Sequence, residues 1–392
     1  MVQALRADFQ VVTPLFLGGA DQARAELRAP ALKGLLRFWY RAADPLFLDG
    51  EAALFGAAAG DQSGQSAVLL HVEGKAPANC PAFDDFDPRR FTVRGARQPL
   101  NGLTYLGYPF QTRGRDARTA IPPGHAFALR CLLPRAGDGT AESDRDTRRA
   151  LVAAVWLLGH FGAAGSRARR GFGGLALTGW RPAADAPGGG GPWPELEALP
   201  LAASAATVSE AEQALRGGLS VLRDWFPPDG WRQVHGRSEH PHLGPAFRYR
   251  LEPEGHQDWA RVLAGMGSAL QRFRVDMAPD DPGNTGEVTP ARASFGLPLT
   301  FRYRGGGTRP ITIVPLNDRS KGTYERHGSL LFLRLLPVGG RLHPLYVRMD
   351  GAVPGEQPPA AVRGQMRPLK PARTNAMDAF FDSLASGGGR GR

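Results

Sequence analysis

Cysteine is almost missing from this chain: Cys80 and Cys131 stand alone among 392 residues. With no C-x-x-C pair, neither a zinc site nor a disulfide framework is expected, and a reducing cytosol fits. Long apolar runs are absent too. No stretch approaches the roughly eighteen residues of a membrane span, and Arg6 and Asp8 interrupt any apolar run of the signal-peptide kind near the start. A soluble, cytoplasmic protein is expected. Lysine is the third scarcity, since 44 of the 48 basic residues are arginine. GC-rich coding could produce that bias as readily as phosphate recognition, so arginine content alone says little. The net charge of +11 and pI near 10.3 nevertheless create a field that attracts polyanions.

What the chain does contain is a concentrated glycine and arginine turn, Gly165-Ser-Arg-Ala-Arg-Arg-Gly-Phe-Gly-Gly174, with three arginines and no acid. Glycines permit positive φ and close main-chain approach. Turn amides can form an anion-binding nest, and guanidinium forks suit phosphate. A nucleic-acid backbone is the favoured ligand, with Arg167, Arg169 and Arg170 as contacts on exposed loop positions; a glycine-rich hairpin with solvated arginines is the plainer alternative. The loop lacks the Gly-Lys-Ser/Thr ending of a P-loop and follows a helical pattern instead of preceding one. Arg170-Gly-Phe-Gly matches the opening of the RNA-recognition-motif signature, but Gly174 and Leu177 stand where that signature requires stacking aromatics.

Length allows two or three domains. Before residue 182 the patterns run from a strand through Phe9 to Thr13 to a helix over 27–43, with Leu32, Leu35, Leu36 and Trp39 at helical spacing behind Pro30. Strands Ala67 to Val72 and Ala126 to Leu133 follow, flanking an insertion with hairpin character around Leu103 to Tyr108. A helix after Ser143 and a strand through Leu175 and Leu177 complete a βαββαβ order, the ferredoxin-like split unit. The Gly/Pro stretch from Pro182 to Pro200 reads as a linker able to carry neither helix nor strand.

Beyond it, helices Glu210 to Phe226 and His256 to Phe273 accompany strand candidates Phe247 to Leu251, Leu297 to Tyr303, Ile311 to Val314, Leu330 to Leu336 and Leu345 to Val347. Arg292-Ala-Ser-Phe-Gly-Leu-Pro resembles a worn copy of the first glycine loop. The expectation is an α+β chain of two tandem ferredoxin-like domains, 1–182 and a more divergent 201–385, joined by linker 183–200. The strand order of the second is open. Residues 386–392 form a tail without apolar anchors, expected to be disordered, and Thr374 to Leu384 reads as a short amphipathic helix.

Lys33, Arg37 and Arg41 recur every fourth residue and form a basic stripe along one edge of the first helix. Many such stripes are merely solvated faces. In a ferredoxin-like unit, however, this helix and the last loop can approach the same side of the fold.

Thr13-Pro-Leu-Phe-Leu-Gly-Gly-Ala-Asp, Leu27-Arg-Ala-Pro-Ala-Leu-Lys-Gly-Leu-Leu-Arg-Phe-Trp-Tyr-Arg and the Gly165–Gly174 loop together resemble the RAMP superfamily of CRISPR-associated proteins. More narrowly, they resemble the two-domain first subunit of type III-B (Cmr) effector complexes. Arg292 to Pro298 and Arg326-His-Gly-Ser-Leu-Leu-Phe-Leu-Arg are similar to later family motifs. The resemblance implies a non-catalytic RNA-binding subunit near the 3′ region of the guide RNA and the matching end of the target RNA, assembled with other Cmr RAMP subunits. It carries Lys33, Arg37, Arg41, Gly165, Arg167, Arg169, Arg170, Gly171, Phe172 and Gly173 over as the RNA-binding set. Base pairing would supply sequence specificity.

Some RAMP proteins are endoribonucleases, which makes Asp21 in the early Gly18-Gly-Ala-Asp-Gln loop the alternative: cleavage of target RNA through its carboxylate. An aspartate beside glycines is ordinarily a turn residue. The first histidine, His71, lies past the region that guide-processing members use. His160 reads as a packed or loop-orienting side chain. His235, His240 and His242 lack partners at a metal-ligand spacing, and no metal or cofactor is expected.

Overall fold

The structure, a computed structural model, describes residues 2–57, 64–95, 98–111, 117–134, 140–183, 193–226, 228–231, 240–277, 287–301, 310–317, 322–323, 326–356, 360–362 and 367–385. Its first half is a four-stranded antiparallel sheet of β1 (Val2–Val11), β2 (Leu69–Glu73), β3 (Ala126–Pro134) and β4 (Leu175–Pro182), in the order β2-β3-β1-β4. That order is the ferredoxin-like one. The strands alternate faces: Leu5, Ala7, Phe9 and Val11 of β1 are buried, and Phe9 stacks on its register partner Phe127 at 5.6 Å.

Two helices cover one face. The first, α1 (Ala29–Ala43), starts behind a proline in its first turn and buries Leu32, Leu36, Trp39 and Tyr40. The long helix Ala141–His160 is capped by Thr140, whose hydroxyl accepts from Ser143 N at 3.2 Å, and it buries every residue from Ala150 to His160. A helix that sequence periodicity did not mark, Phe47–Phe55, follows α1 closely.

The expected hairpin at 103–108 is corrected: Gly102–Leu106 is helical, with Asn101 accepting from Thr104 N at 3.0 Å as N-cap. Its geometry is set by a crossing with the helix Trp259–Asp276, where Gly102 and Gly267 pack backbone to backbone and neither has room for a Cβ. The linker reading is corrected in part. Pro194–Ala198 is a short helix behind buried Trp193, and its Glu195 pairs with Arg148 at 3.1 Å; residues 184–192 lie outside the described residues, as do the tail 386–392 and His235.

The second half repeats the plan incompletely. Strand β5 (Arg248–Leu251), helix Trp259–Asp276, strands β9 (Leu331–Val338) and β10 (Arg341–Arg348) and the helix Ala376–Ala385 succeed one another along the chain. The sheet runs β5-β10-β9, with no fourth strand joining it among the described residues. That is the ferredoxin-like order with its last strand missing. Between the helix and β9 a smaller sheet is inserted, built from β6 (Leu299–Phe301), β7 (Ile311–Asn317), β8 (Gly322–Thr323) and the later β11 (Ala360–Val362) and β12 (Arg367–Pro368). A single apolar cluster takes in Trp39, Trp156 and Phe172 from one half and Leu219, Leu333 and Phe380 from the other, so the halves share a core.

Candidate nucleic-acid interface

The glycine loop lies against the segment that follows β1. Thr13, fully buried, donates its hydroxyl to Gly171 O at 2.7 Å and accepts from Gly174 N at 2.8 Å. Ser166 N reaches Phe16 O at 2.9 Å, and Gly173 N reaches Pro14 O at 2.9 Å. The two motifs, about 150 residues apart in sequence, thus form one backbone-to-backbone seam. Gly165 and Gly173 take φ of +77° and +65°, with no space for a side chain. Phe172 is fully buried among Phe16, Phe83 and Phe110; as an RNA contact it is corrected to a positioning element of the loop.

The three loop arginines are not the exposed side chains expected. Arg167, itself in the left-handed region at φ +63°, donates to Leu106 O at 2.7 Å, on the last turn of the helix Gly102–Leu106. Arg169 donates to Ser329 O at 2.8 Å and lies 5.1 Å from the ring centre of Phe332 and 5.9 Å from that of Phe38. Arg170 donates to Phe295 O at 2.7 Å, joining the glycine loop to the 292–298 segment, and burial pushes its pKa down to about 10. Burial lowers those of Arg167 and Arg169 as well. Main-chain carbonyls hold all three guanidinium groups, and those of Arg169 and Arg170 belong to the second half, which the loop meets here: Leu333 N bonds Arg169 O at 3.2 Å.

The stripe on α1 is likewise engaged. Arg41 forms a bidentate pair with buried Glu51 at 2.7 and 2.5 Å, and Arg37 contacts the same carboxylate while donating to Gly56 O at 2.5 Å. Lys33 is half-buried, its pKa lowered by burial and then by Arg37. It lines neither of the cavities described next.

Those cavities adjoin across Arg169. The larger, about 960 Å³, is walled by Arg167, Arg169, Arg170, Arg274 and Arg326, by Tyr105 and Tyr108, and by the Phe295–Leu299 turn. The smaller, about 410 Å³, is walled by Arg37, Arg41, Arg169, Arg326, His240 and His327. Both include Arg326, His327 and Gly328, and among the described residues neither wall contains an aspartate or glutamate. Arg274 donates to Tyr105 Oη at 2.8 Å, Arg326 is exposed, and Tyr108 is 69% exposed. Sequence reasoning singled out none of Arg274, Arg326 and Tyr108 as site residues. Arg326 stood inside a quoted motif, whereas Arg274 and Tyr108 carry no local signal and become site residues only through the crossing of their helices.

Asp21 is exposed and accepts from Ala23 N at 2.9 Å, a turn-capping bond. His160 stacks on Trp156 at 4.2 Å, bonds Trp156 O at 2.7 Å through Nδ1 and accepts from Ala202 N at 3.0 Å through Nε2. Burial pulls its pKa down to about 4, and burial followed by Arg41 pulls that of His240 to about 3. A histidine held neutral in the fold binds fewer protons than in the unfolded chain between its folded pKa and about 6.5. Stability is therefore full above pH 6.5 and lost as pH falls towards 4, by roughly 3 kcal/mol for His160. Urea midpoints at pH 7 and pH 4.5 should show this fall, reduced in His160→Gln; equal midpoints in wild type would refute it.

No helix among the described residues is long and apolar enough to cross a membrane. No curated protein sequence matches the chain significantly. The RAMP superfamily model matches residues 8–176, which end just past the glycine loop. Among solved structures, apo Cmr1 from Pyrococcus furiosus superposes with a TM-score of 0.55 at 16% identity, covering 97% of this chain and 96% of that one. A chain of the type III-B Cmr-beta complex bound to cognate target RNA gives 0.52 at 11% identity, covering 98% and 99%. At such identities the likeness is one of fold, and it extends over the whole chain. The first half of this chain thus matches the RAMP superfamily model, and its fold is similar to that of Cmr1 throughout.

Proposed function

We propose that the chain is a non-catalytic RNA-binding subunit of a type III-B (Cmr) RNA-guided effector complex. Its partners would be the 3′ region of a guide RNA, the paired target RNA, or both, together with other Cmr RAMP subunits. The observation that carries this reading is the groove in which five arginines and the exposed Tyr108 share one cavity wall, with no acid among the described lining residues. Such a wall tracks a phosphate backbone while an aromatic face takes a base, without reading sequence. The similarity of fold to Cmr1 and to a Cmr-beta chain supports the setting. The capping bond of Asp21 supports a turn role over a catalytic one.

Binding of labelled single-stranded RNA, followed by anisotropy over a salt series, tests the reading. Wild-type affinity should fall steeply with salt. Tyr108→Ala should weaken binding by about 1–3 kcal/mol, the worth of one stacked base. Salt-independent binding, or full affinity in Tyr108→Ala, would overturn it. In the assembled complex with matched target, Asp21→Ala should leave the cleavage products unchanged; loss of one product with binding retained would favour the endoribonuclease.

A further inference from the structure

We propose that the smaller cavity is a subsite for the terminal phosphomonoester of an RNA strand lying in the larger groove, an assignment that rests on the RNA-binding reading above. Charge and position carry this assignment. Arg37 and Arg41 enter from α1, Arg169 from the glycine loop and Arg326 from the segment before β9. The only carboxylate paired with these four among the described residues is Glu51, which contacts Arg37 and Arg41 from behind. Among the described residues, four guanidinium charges against one carboxylate leave three uncompensated, around a space of about 410 Å³.

An internal phosphodiester offers one negative charge to such a site. A terminal monoester, with its second pKa near 6, offers nearly two at neutral pH and has more free oxygens for guanidinium forks. The effect is largest where walls exclude water. The depressed pKa of His240, to which Arg41 and Arg169 contribute after burial, reports the same positive potential from inside the cavity.

Position points the same way. Arg169 spans from its loop to Ser329 O, and this contact stands between the two cavities. Phe38 and His240, with ring centres 4.5 Å apart, form a wall of the smaller cavity. A strand following the larger groove reaches Arg326, which lines both spaces, and presents its end group to the smaller one. Gly34, also on the wall, faces open space.

Competition binding with one short RNA carrying hydroxyls at both ends, a 5′-phosphate, or a 3′-phosphate tests the assignment. One phosphorylated end should bind at least tenfold more tightly than the hydroxyl-ended strand, and which one does so identifies the end. Gly34→Asp, which adds a carboxylate where no atom is displaced, should abolish that preference while hydroxyl-ended RNA still binds. Arg41→Gln should do the same, with thermal unfolding checking that the fold is kept. Equal affinity for all three strands, or a preference that persists in folded Gly34→Asp, overturns the subsite and leaves the groove reading standing. Failure of every strand to bind overturns the groove reading itself.

Discussion

Gly173→Ala should abolish the native fold, with a cost above about 4 kcal/mol. Gly173 sits at φ +65° in the seam between the glycine loop and the Thr13–Phe16 segment, and a Cβ there would run into the carbonyl oxygen of Ala164. That carbonyl belongs to backbone, so no side-chain rotation relieves the clash. Ala164 N bonds Gly173 O at 2.8 Å and Gly173 N bonds Pro14 O at 2.9 Å, so displacing the loop breaks two buried hydrogen bonds and unseats Phe172 from its aromatic cluster. Losses of this size arise from such combinations of strain, overpacking and unsatisfied polar groups. Gly34→Ala is the internal comparison. Its site is an open helical position, where alanine is favoured over glycine by up to about 1 kcal/mol. Soluble, cooperatively unfolding Gly173→Ala protein with a wild-type midpoint would contradict the prediction.

The same seam shows where sequence reasoning reaches its limit. Glycines at 165 and 173 correctly signal close main-chain approach, but the approaching partner is this chain's own backbone, and at Gly171 it is the Leu263 side chain. Arginines at 167, 169 and 170 have the composition of a phosphate site. Their hydrogen-bonding ends are instead taken by carbonyls of Leu106, Ser329 and Phe295, from segments whose proximity no local pattern reveals. Three alanines there would remove one contact within the first half and two that join the halves, so the fold should not tolerate them as exposed loop positions would.

The ferredoxin-like order of the first half was legible because α1, the helix 141–160 and the four strands each carry their own apolar periodicity. The helix Gly102–Leu106 was not, because five residues are too few for a period. Its geometry comes from the glycine-to-glycine crossing with a helix about 165 residues away. In the second half the strands were visible individually. Their division into two sheets was hidden, since the inserted smaller sheet interrupts the βαββ order. The segment Arg292 to Pro298 lies against the first glycine loop: Phe295 O receives Arg170, and Gly296 and Leu297 line the larger cavity. The groove is therefore built where these two segments meet, with Arg170 of one bonded to the other.

Charge reversal at Arg326 should produce the largest loss of RNA binding that leaves the fold intact. Arg326 is exposed, lines both cavities and makes no hydrogen bond or ion pair among the described residues. Its guanidinium is thus available to an incoming phosphate, and its substitution should change stability by no more than about 0.5 kcal/mol. Removing one phosphate contact lowers the salt slope by about 0.7 for a single strand. Placing a carboxylate there adds repulsion on top of the lost attraction. At an effective dielectric near 20 such a change is worth a few kcal/mol at contact distance, before ionic screening. Arg326→Glu should therefore bind RNA about a hundredfold more weakly at low salt, with Arg326→Ala intermediate. The gap between them should narrow as salt rises, because screening removes the repulsive part first. The loss should be uniform across RNA sequences, since a backbone contact carries no base information. Anisotropy titrations of both variants at two salt concentrations, with thermal unfolding alongside, decide the matter. A folded Arg326→Glu protein with wild-type affinity would show that RNA does not enter the groove at all.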